Sequence, residues 1–319
     1  MSLIEQAAKR LEELRAAGAE LPDTPAGGGA DPIRRDNTPT PEAFVRALDA
    51  RTSSTSQDLA ASGHRGMHSP AARAPHPRVE INLAQLAMRG YVTPEAGTSQ
   101  IADEFRVIKR PIIRNAIAQT GANAKNRNLV MVTSALPAEG KTFTAVNLAM
   151  SVAMELDSTV LLVDGDVAHP SLPGLLGVPS EPGLLDLLTR DDLDVADALV
   201  RTNVEKLTVL PAGSRQRRAT ELLASEQMAV LLRELASRYS DRIIIFDSPP
   251  LLPTTEARVL ATHMDQIIMV VAADTTTQHT LSHALATIEN CEIVLMMLNK
   301  ASRTDVGTYY GYHADDEAT

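Results

Sequence analysis

Residues 128–149 read NLVMVTSALPAEGKTFTAVNLA, and this stretch decides the fold. NLVMVTS at 128–134 is an apolar, β-rich run of strand length. ALPAEGKT follows as a glycine-containing loop, and a helix is expected at about 141–156. Gly140-Lys141-Thr142 matches the end of G-x-x-x-x-G-K-[ST], with Ala135 where the first glycine of that pattern stands. A phosphate needs a tight loop whose backbone N–H groups face its oxygens, and a helix N-terminus aimed at the anion. In such a loop Lys141 reaches the β- and γ-phosphates and Thr142 offers its hydroxyl to Mg²⁺. A GKT tripeptide alone arises by chance. Its position between a strand and a helix makes it specific.

Working outward, TVLLVD at 159–164, KLTVL at 206–210, RIIIFD at 242–247, QIIMVVAA at 266–273 and IVLMMLN at 293–299 read as further buried strands. Helices lie between them, including a long amphipathic one at about 219–239. The runs are continuously apolar rather than alternating, which marks parallel strands covered on both faces. The βαβ repetition predicts an α/β fold of P-loop type: a mostly parallel, doubly wound sheet flanked by helices. Two strands end in acid. Asp164 closes one and is followed by Asp166; Asp247 closes another, and Pro249 and Pro250 then stop the strand. Ligands of open parallel sheets bind outside the carboxyl ends of the strands. Asp164, Asp166 and Asp247 are therefore expected to converge on the edge that carries the phosphate loop. Three carboxylates there repel one another, a conflict that a Mg²⁺-bound nucleotide resolves.

Composition narrows the choice. The chain has 319 residues and a formal net charge of −10, which argues against a nucleic-acid partner. Its single cysteine, Cys291, excludes a disulfide framework and a cysteine-based zinc site. No apolar run approaches the ~20 residues that span a bilayer. The charged, amphipathic start MSLIEQAAKRLEELR lacks the apolar stretch of a signal peptide. A cytoplasmic protein is expected, with any membrane association supplied by a partner.

The flanks differ from the centre. Residues 2–17 carry Leu3, Ile4, Ala7, Ala8, Leu11 and Leu14 at helical spacing, which predicts an amphipathic helix within 1–20. Residues 21–78, rich in proline, glycine and serine, read as a disordered tether. A helix at 79–90 and a longer one at 99–120, kinked at Pro111, open a domain expected over 79–305. Residues 306–319 read as a flexible tail. Only 5 Tyr and 4 Phe occur in the chain, and Tyr309, Tyr310 and Tyr312 all fall in this tail.

Taken together, these motifs resemble the bacterial tyrosine kinases of exopolysaccharide and capsule synthesis. TSALPAEGKTFTAVNLA resembles their Walker A segment, VLLVDGDVAHPSL their family-specific DxD strand, and IIIFDSPPLLPTTEA their Walker B segment. LLGVPSEPGLLDLL at 175–188, LPAG at 210–213 and ELLAS at 221–225 are similar too, so the resemblance spans about 99–319. MSLIEQAAKRLEEL and DEFRVIKRP resemble a narrower branch, the tyrosine autokinases linked to exosortase and exopolysaccharide loci.

The resemblance implies a fold akin to MinD and ParA proteins and a non-specific protein-tyrosine kinase that binds ATP and Mg²⁺. Nucleotide contacts would come from Ala138, Glu139, Gly140, Lys141, Thr142, Phe143 and Asn299. Thr142, Asp166 and Asp247 would hold Mg²⁺, and Lys141, Asp164 and Asp166 would serve catalysis, with Asp164 accepting or orienting the tyrosine proton. Tyr309, Tyr310 and Tyr312 would be phosphorylated by a neighbouring subunit of a homo-oligomer. A membrane partner of the chain-length-determinant, or polysaccharide co-polymerase, type would recruit the protein to the inner membrane. Family rings form through a helix patterned E-x-x-R-x-x-R, and Asp103, Arg106 and Lys109 occupy those places here. Ala168 and His169 stand where the DxD motif usually runs on to Arg, and Ala138 where a glycine is usual. Two rivals share these motifs: a MinD/ParA-type positioning ATPase and a non-catalytic nucleotide-binding regulator. The former carries a signature lysine where this chain has Leu136.

Overall fold

The computed structural model describes residues 78–95, 99–117, 127–238 and 242–301. The expected N-terminal helix, the tether apart from Arg78, and the tail with its three tyrosines lie outside the described residues.

Seven strands form one sheet: β1 (Leu129–Ser134), β2 (Thr159–Asp164), β3 (Val200–Arg201), β4 (Leu207–Leu210), β5 (Arg242–Asp247), β6 (Gln266–Ala272) and β7 (Ile293–Asn299). Their order is β3-β4-β2-β5-β1-β6-β7, and every neighbouring pair is parallel except β3–β4. The helices are α1 (Leu83–Met88), α2 (Gln100–Ile117), α3 (Lys141–Ala153), α4 (Leu172–Leu176), α5 (Leu184–Leu187), α6 (Val195–Ala198), α7 (Ala219–Leu223), α8 (Glu226–Arg238), α9 (Thr255–Ala261) and α10 (Gln278–Ala286).

Successive side chains of a strand point to opposite faces of its sheet. Met131, Leu161, Ile244 and Phe246 enter one core, which Met228 and Leu232 of α8 and Leu260 of α9 complete. Val130, Leu162, Ile245 and Ile268 enter the other, against Phe105 and Ile112 of α2 and Val146 and Met150 of α3. Coverage on both faces is why the strands lack polar alternation. The doubly wound expectation holds.

Two local expectations change. The helix expected at 219–239 is two helices, because Ala224 closes α7 and Ser225 begins α8. The Ser225 hydroxyl accepts the Met228 N–H at 3.2 Å, satisfying a donor that a helix start leaves unpaired. The strand at 293–299 is an edge strand covered only in part: Met296 and Leu298 are 51% and 63% exposed. Val294 of the same face packs on the core, but coverage ends beyond it. The helix expected at 99–120 is present as α2, with Pro111 inside it.

In α2, Lys109 is 3% exposed. Its ammonium donates to Ser151 O at 2.6 Å and pairs with Glu155 at 2.8 Å, tying α2 to the end of α3. That contact holds the Glu155 carboxyl below its usual range. Arg106 pairs with Asp103 on its own helix. The third place of the ring-helix pattern is therefore used inside the chain. Replacing the ammonium leaves the Ser151 carbonyl unpaired. Lys109→Met is expected to cost about 1–3 kcal/mol in urea unfolding, whereas Arg106→Ala, at an exposed pair, should shift stability by less than about 0.5 kcal/mol.

Candidate active site

The loop between β1 and α3 turns on Gly140, whose φ is 102°. A Cβ there would meet the Asn299 Nδ2 atom at 2.0 Å, so both the backbone and the neighbouring side chain require glycine. Ala138 also lies in the left-handed region, with φ 62°. For a residue with a Cβ that conformation costs roughly 1–2 kcal/mol, so surrounding contacts must hold it. They come from the far end of the chain. Lys300 Nζ donates to Ala138 O at 2.7 Å, and Asn299 Nδ2 to Glu139 O at 2.8 Å. The buried Glu139 carboxylate accepts the Leu136 N–H at 2.6 Å and the Thr276 hydroxyl. The loop is therefore latched by Thr276, beyond β6, and by Asn299 and Lys300 at the end of β7. Leu136 itself is exposed and brings no charge to the loop.

The acids lie on the same edge. In the sheet register Asp247 pairs with Val132 of β1 and with Asp164 of β2, placing it beside the root of the phosphate loop. Ser171, just before α4, ties the groups together. Its N–H donates to Asp164 Oδ2 at 3.1 Å, its hydroxyl to Asp247 Oδ2 at 3.4 Å, and its Oγ lies 3.3 Å from Thr142 Oγ1. The Leu172 N–H donates to the same Asp164 oxygen at 3.0 Å. Asp166 Oδ1 accepts the His169 N–H at 3.0 Å.

Burial dominates the electrostatics. It pushes Asp164 up to about 7, with the charge of Asp247 adding to the rise and the Leu172 and Ser171 N–H groups opposing it. Asp247 is likewise pushed up to about 7 by burial, against hydrogen bonding from Thr142 and the charge of Lys141. Asp166 is raised, chiefly by burial. Lys141 is lowered by burial, which the charges of Asp247, Asp166 and Glu139 oppose.

The three carboxylates do not close into a cage. Among the described residues, no group of three or more His, Cys, Asp and Glu side chains is spaced to hold a metal ion. Backbone N–H groups engage one oxygen each of Asp164 and Asp166 instead. Asp164 Oδ1 and Asp247 Oδ1, however, are buried without a hydrogen-bond partner. The Asp247 oxygen and the Thr142 hydroxyl beside it form a hard donor set, and the Asp164 oxygen is left able to accept a proton. That set suits Mg²⁺, which usually takes one or two carboxylates plus phosphate oxygens and waters.

Phe143, in the first turn of α3, packs against Tyr91 at 5.0 Å between ring centroids. It also lines a cavity of about 750 Å³ with Phe105, Asn299 and Lys300. The loop residues 138–143, Asn299, Asp164, Asp166 and Asp247 thus share one end of the sheet, as the sequence led one to expect. Ser171, Thr276 and Lys300 went unanticipated. Each acts across a long stretch of chain, and none sits in a pattern that marks its role.

Residues 138–300 match a family model described as an AAA domain. The chain is 29% identical over 221 residues to a putative tyrosine-protein kinase CapB of Staphylococcus aureus, covering 68% of this chain and 92% of that relative. It is 30% identical over 185 residues to the tyrosine-protein kinase YwqD of Bacillus subtilis, covering 58% of this chain and 76% of the relative. The solved structure of the chimerical protein CapA2B2 superposes with a TM-score of 0.55 at 26% identity, covering 69% of this chain and 93% of that one. A latched phosphate loop beside buried strand-end acids, on a sheet shared with these proteins, leads to one conclusion: the chain belongs to the bacterial tyrosine-protein kinase family.

Proposed function

We propose that this chain is an ATP-dependent protein tyrosine autokinase that regulates exopolysaccharide synthesis or export. The observation that carries the chemistry is the pair of orphaned, buried carboxylate oxygens on Asp164 and Asp247, beside Thr142 and the phosphate loop. In this reading the backbone of 138–143 cradles the phosphates at the start of α3, where the helix N-terminus favours an anion. Lys141, half-buried among acids, neutralises charge on the transferring group. The base and ribose take the cavity beside Phe143 and Asn299. Thr142, Asp166 and Asp247 hold Mg²⁺, which when bound supplies charge stabilisation at the phosphates.

The acceptor tyrosine has an ordinary pKa of ~10, so positioning matters more than prior ionisation. The phosphoryl group leaves ATP for the phenolic oxygen, and the phenolic proton passes to Asp164. A carboxylate whose pKa is pushed up to about 7 is a better proton acceptor at neutral pH than an ordinary aspartate. The acceptors are Tyr309, Tyr310 and Tyr312 of a neighbouring copy, in a trans-phosphorylating homo-oligomer. Among the described residues no helix is long and apolar enough to cross a membrane. Recruitment to the inner membrane then falls to a separate chain-length-determinant or polysaccharide co-polymerase protein. The short resemblances at the N-terminus and α2 favour the exosortase-linked branch.

Two measurements test the reading. Incubated with ATP and Mg²⁺, the purified full chain should acquire tail phosphotyrosine. Lys141→Ala should lower the initial rate at least about 100-fold. Persistent phosphorylation of that variant would remove the phosphate loop from the mechanism. The second concerns pH. Folding raises Asp164 and Asp247 from an ordinary 3.8 to about 7, so between these values the folded state binds more protons than the unfolded one. Stability of the ligand-free protein should therefore fall as pH rises across that window. In chelator, Asp247→Asn should flatten this slope and raise the melting temperature near pH 8. ATP–Mg²⁺ should stabilise wild type more than the variant. An unchanged slope in Asp247→Asn would contradict the assignment.

A further inference from the structure

The loop joining β4 to α7 reads PAGSRQRR at 211–218 and carries three exposed arginines, Arg215, Arg217 and Arg218. In a chain of formal net charge −10 this is a local reversal of sign. None of the three guanidinium groups pairs with an acid among the described residues.

The root of the loop is rigid. The buried Asp186 carboxylate accepts the Gly183 N–H at 2.8 Å and the Ser214 N–H at 3.1 Å. A Cβ on Gly213, whose φ is 86°, would meet Asp186 Oδ2 at 2.5 Å. The far end of the loop reaches the candidate active site. Arg218 is the N-cap residue of α7, and Thr220 donates its hydroxyl to Glu256 at 2.8 Å. Glu256 is in turn one of the charges that raise Asp166. The loop also leaves β4 just past Leu210, which pairs in register with Val163, the residue before Asp164. The arginines therefore stand at the same sheet edge as the acids, one hydrogen-bonded residue from a carboxylate that Asp166 feels.

We propose that this arginine loop docks the acidic end of a neighbouring copy's tail, residues Asp315, Asp316 and Glu317, and so delivers that tail's tyrosines to the active site. The proposal rests on the autokinase reading and adds its docking residues. The complementarity is three guanidinium groups against three carboxylates. Arginine suits the task because its planar fork pairs with carboxylates in bidentate fashion and stays charged. Spacing agrees as well. Tyr312 lies three residues before Asp315, an extended reach of about 10 Å, and Tyr309 six residues before it, about 20 Å. An anchored acidic end thus leaves each tyrosine free to reach the edge in turn.

A trans assay separates donor from acceptor. The enzyme copy carries Tyr309→Phe, Tyr310→Phe and Tyr312→Phe, and the acceptor copy carries Lys141→Ala. Adding Arg215→Glu, Arg217→Glu and Arg218→Glu to the enzyme should raise KM for the acceptor about 5–20-fold at low salt, leave kcat within about twofold, and leave ADP affinity unchanged. The difference should shrink near 0.5 M salt. An acceptor with Asp315→Lys, Asp316→Lys and Glu317→Lys should restore the KM. An unchanged KM, or a fall in kcat with no rescue by the reversed tail, would overturn the docking. A binding arm works without catalysis. A labelled peptide of residues 302–319 should bind the full chain bearing Asp315→Asn, Asp316→Asn and Glu317→Gln, and should lose at least about fivefold in affinity when the arginines are reversed. If wild type yields no tail phosphotyrosine yet this binding holds, the autokinase reading fails and the docking stands. If phosphorylation proceeds and the arginine reversal alters neither KM nor peptide binding, the docking fails.

Discussion

The buried carboxylate of Asp247 is the constraint around which this edge of the molecule is built. It ends the central strand β5, in register with both β1 and β2. Buried from solvent, it is met by groups the chain itself supplies. Lys141 and Thr142 at the start of α3 and Ser171 before α4 all converge on it, from two separate segments. Its backbone also works as a joint. The Gly165 N–H donates to Asp247 O at 2.7 Å, and beyond it Ser248 and Leu251 donate to Val132 O and Ser134 O. The acid loop after β2 and the phosphate loop after β1 are thus held to one segment. Their relative position follows from strand pairing rather than from flexible side chains.

A second tie comes from the other side. The phosphate loop is short of glycine, with Ala135 and Ala138 where related patterns place it. Ala138 still adopts a left-handed conformation, and Lys300, Asn299 and the Thr276–Glu139 contact hold the loop around it. This gives the half-covered edge strand β7 a clear part in the structure. Its apolar burial is incomplete, but its last residue and the one that follows clamp the loop between β1 and α3. Strain in the loop and support from β7 are two sides of one arrangement.

Much of this was legible in one dimension. Parallel strands covered on both faces leave unbroken apolar runs, and β1, β2, β5 and β6 could be read from that alone. The strand–loop–helix order around Gly140-Lys141-Thr142 and the acids at strand ends followed from the same reading. Other features could not be read so directly. The two residues of β3 are too few to show a period. The break at Ser225 sits inside a stretch whose apolar spacing stays helical on both sides, so only the cap's hydrogen bond separates α7 from α8. The partial exposure of β7 depends on its place at the sheet edge, which composition does not encode. Lys109 looked like an interface charge because its spacing matched a pattern, yet packing turned it inward to Ser151 and Glu155.

The sequence by itself therefore determined the layered α/β fold, the phosphate loop and the identity of the acids, because each depends on local periodicity or on neighbours a few residues away. Only the tertiary structure decided which groups answer those acids and what holds the loop. The Ser171 hydroxyl reaches Thr142 and Asp247, and Thr276, Asn299 and Lys300 reach the loop, at sequence separations from 29 to 162 residues. Likewise, Asp164 and Asp247 have oxygens left without partners because folding removes them from water while the nearby N–H and O–H groups are directed to other atoms. Hydrogen-bond satisfaction belongs to the assembled sheet edge, where segments distant in the chain first meet.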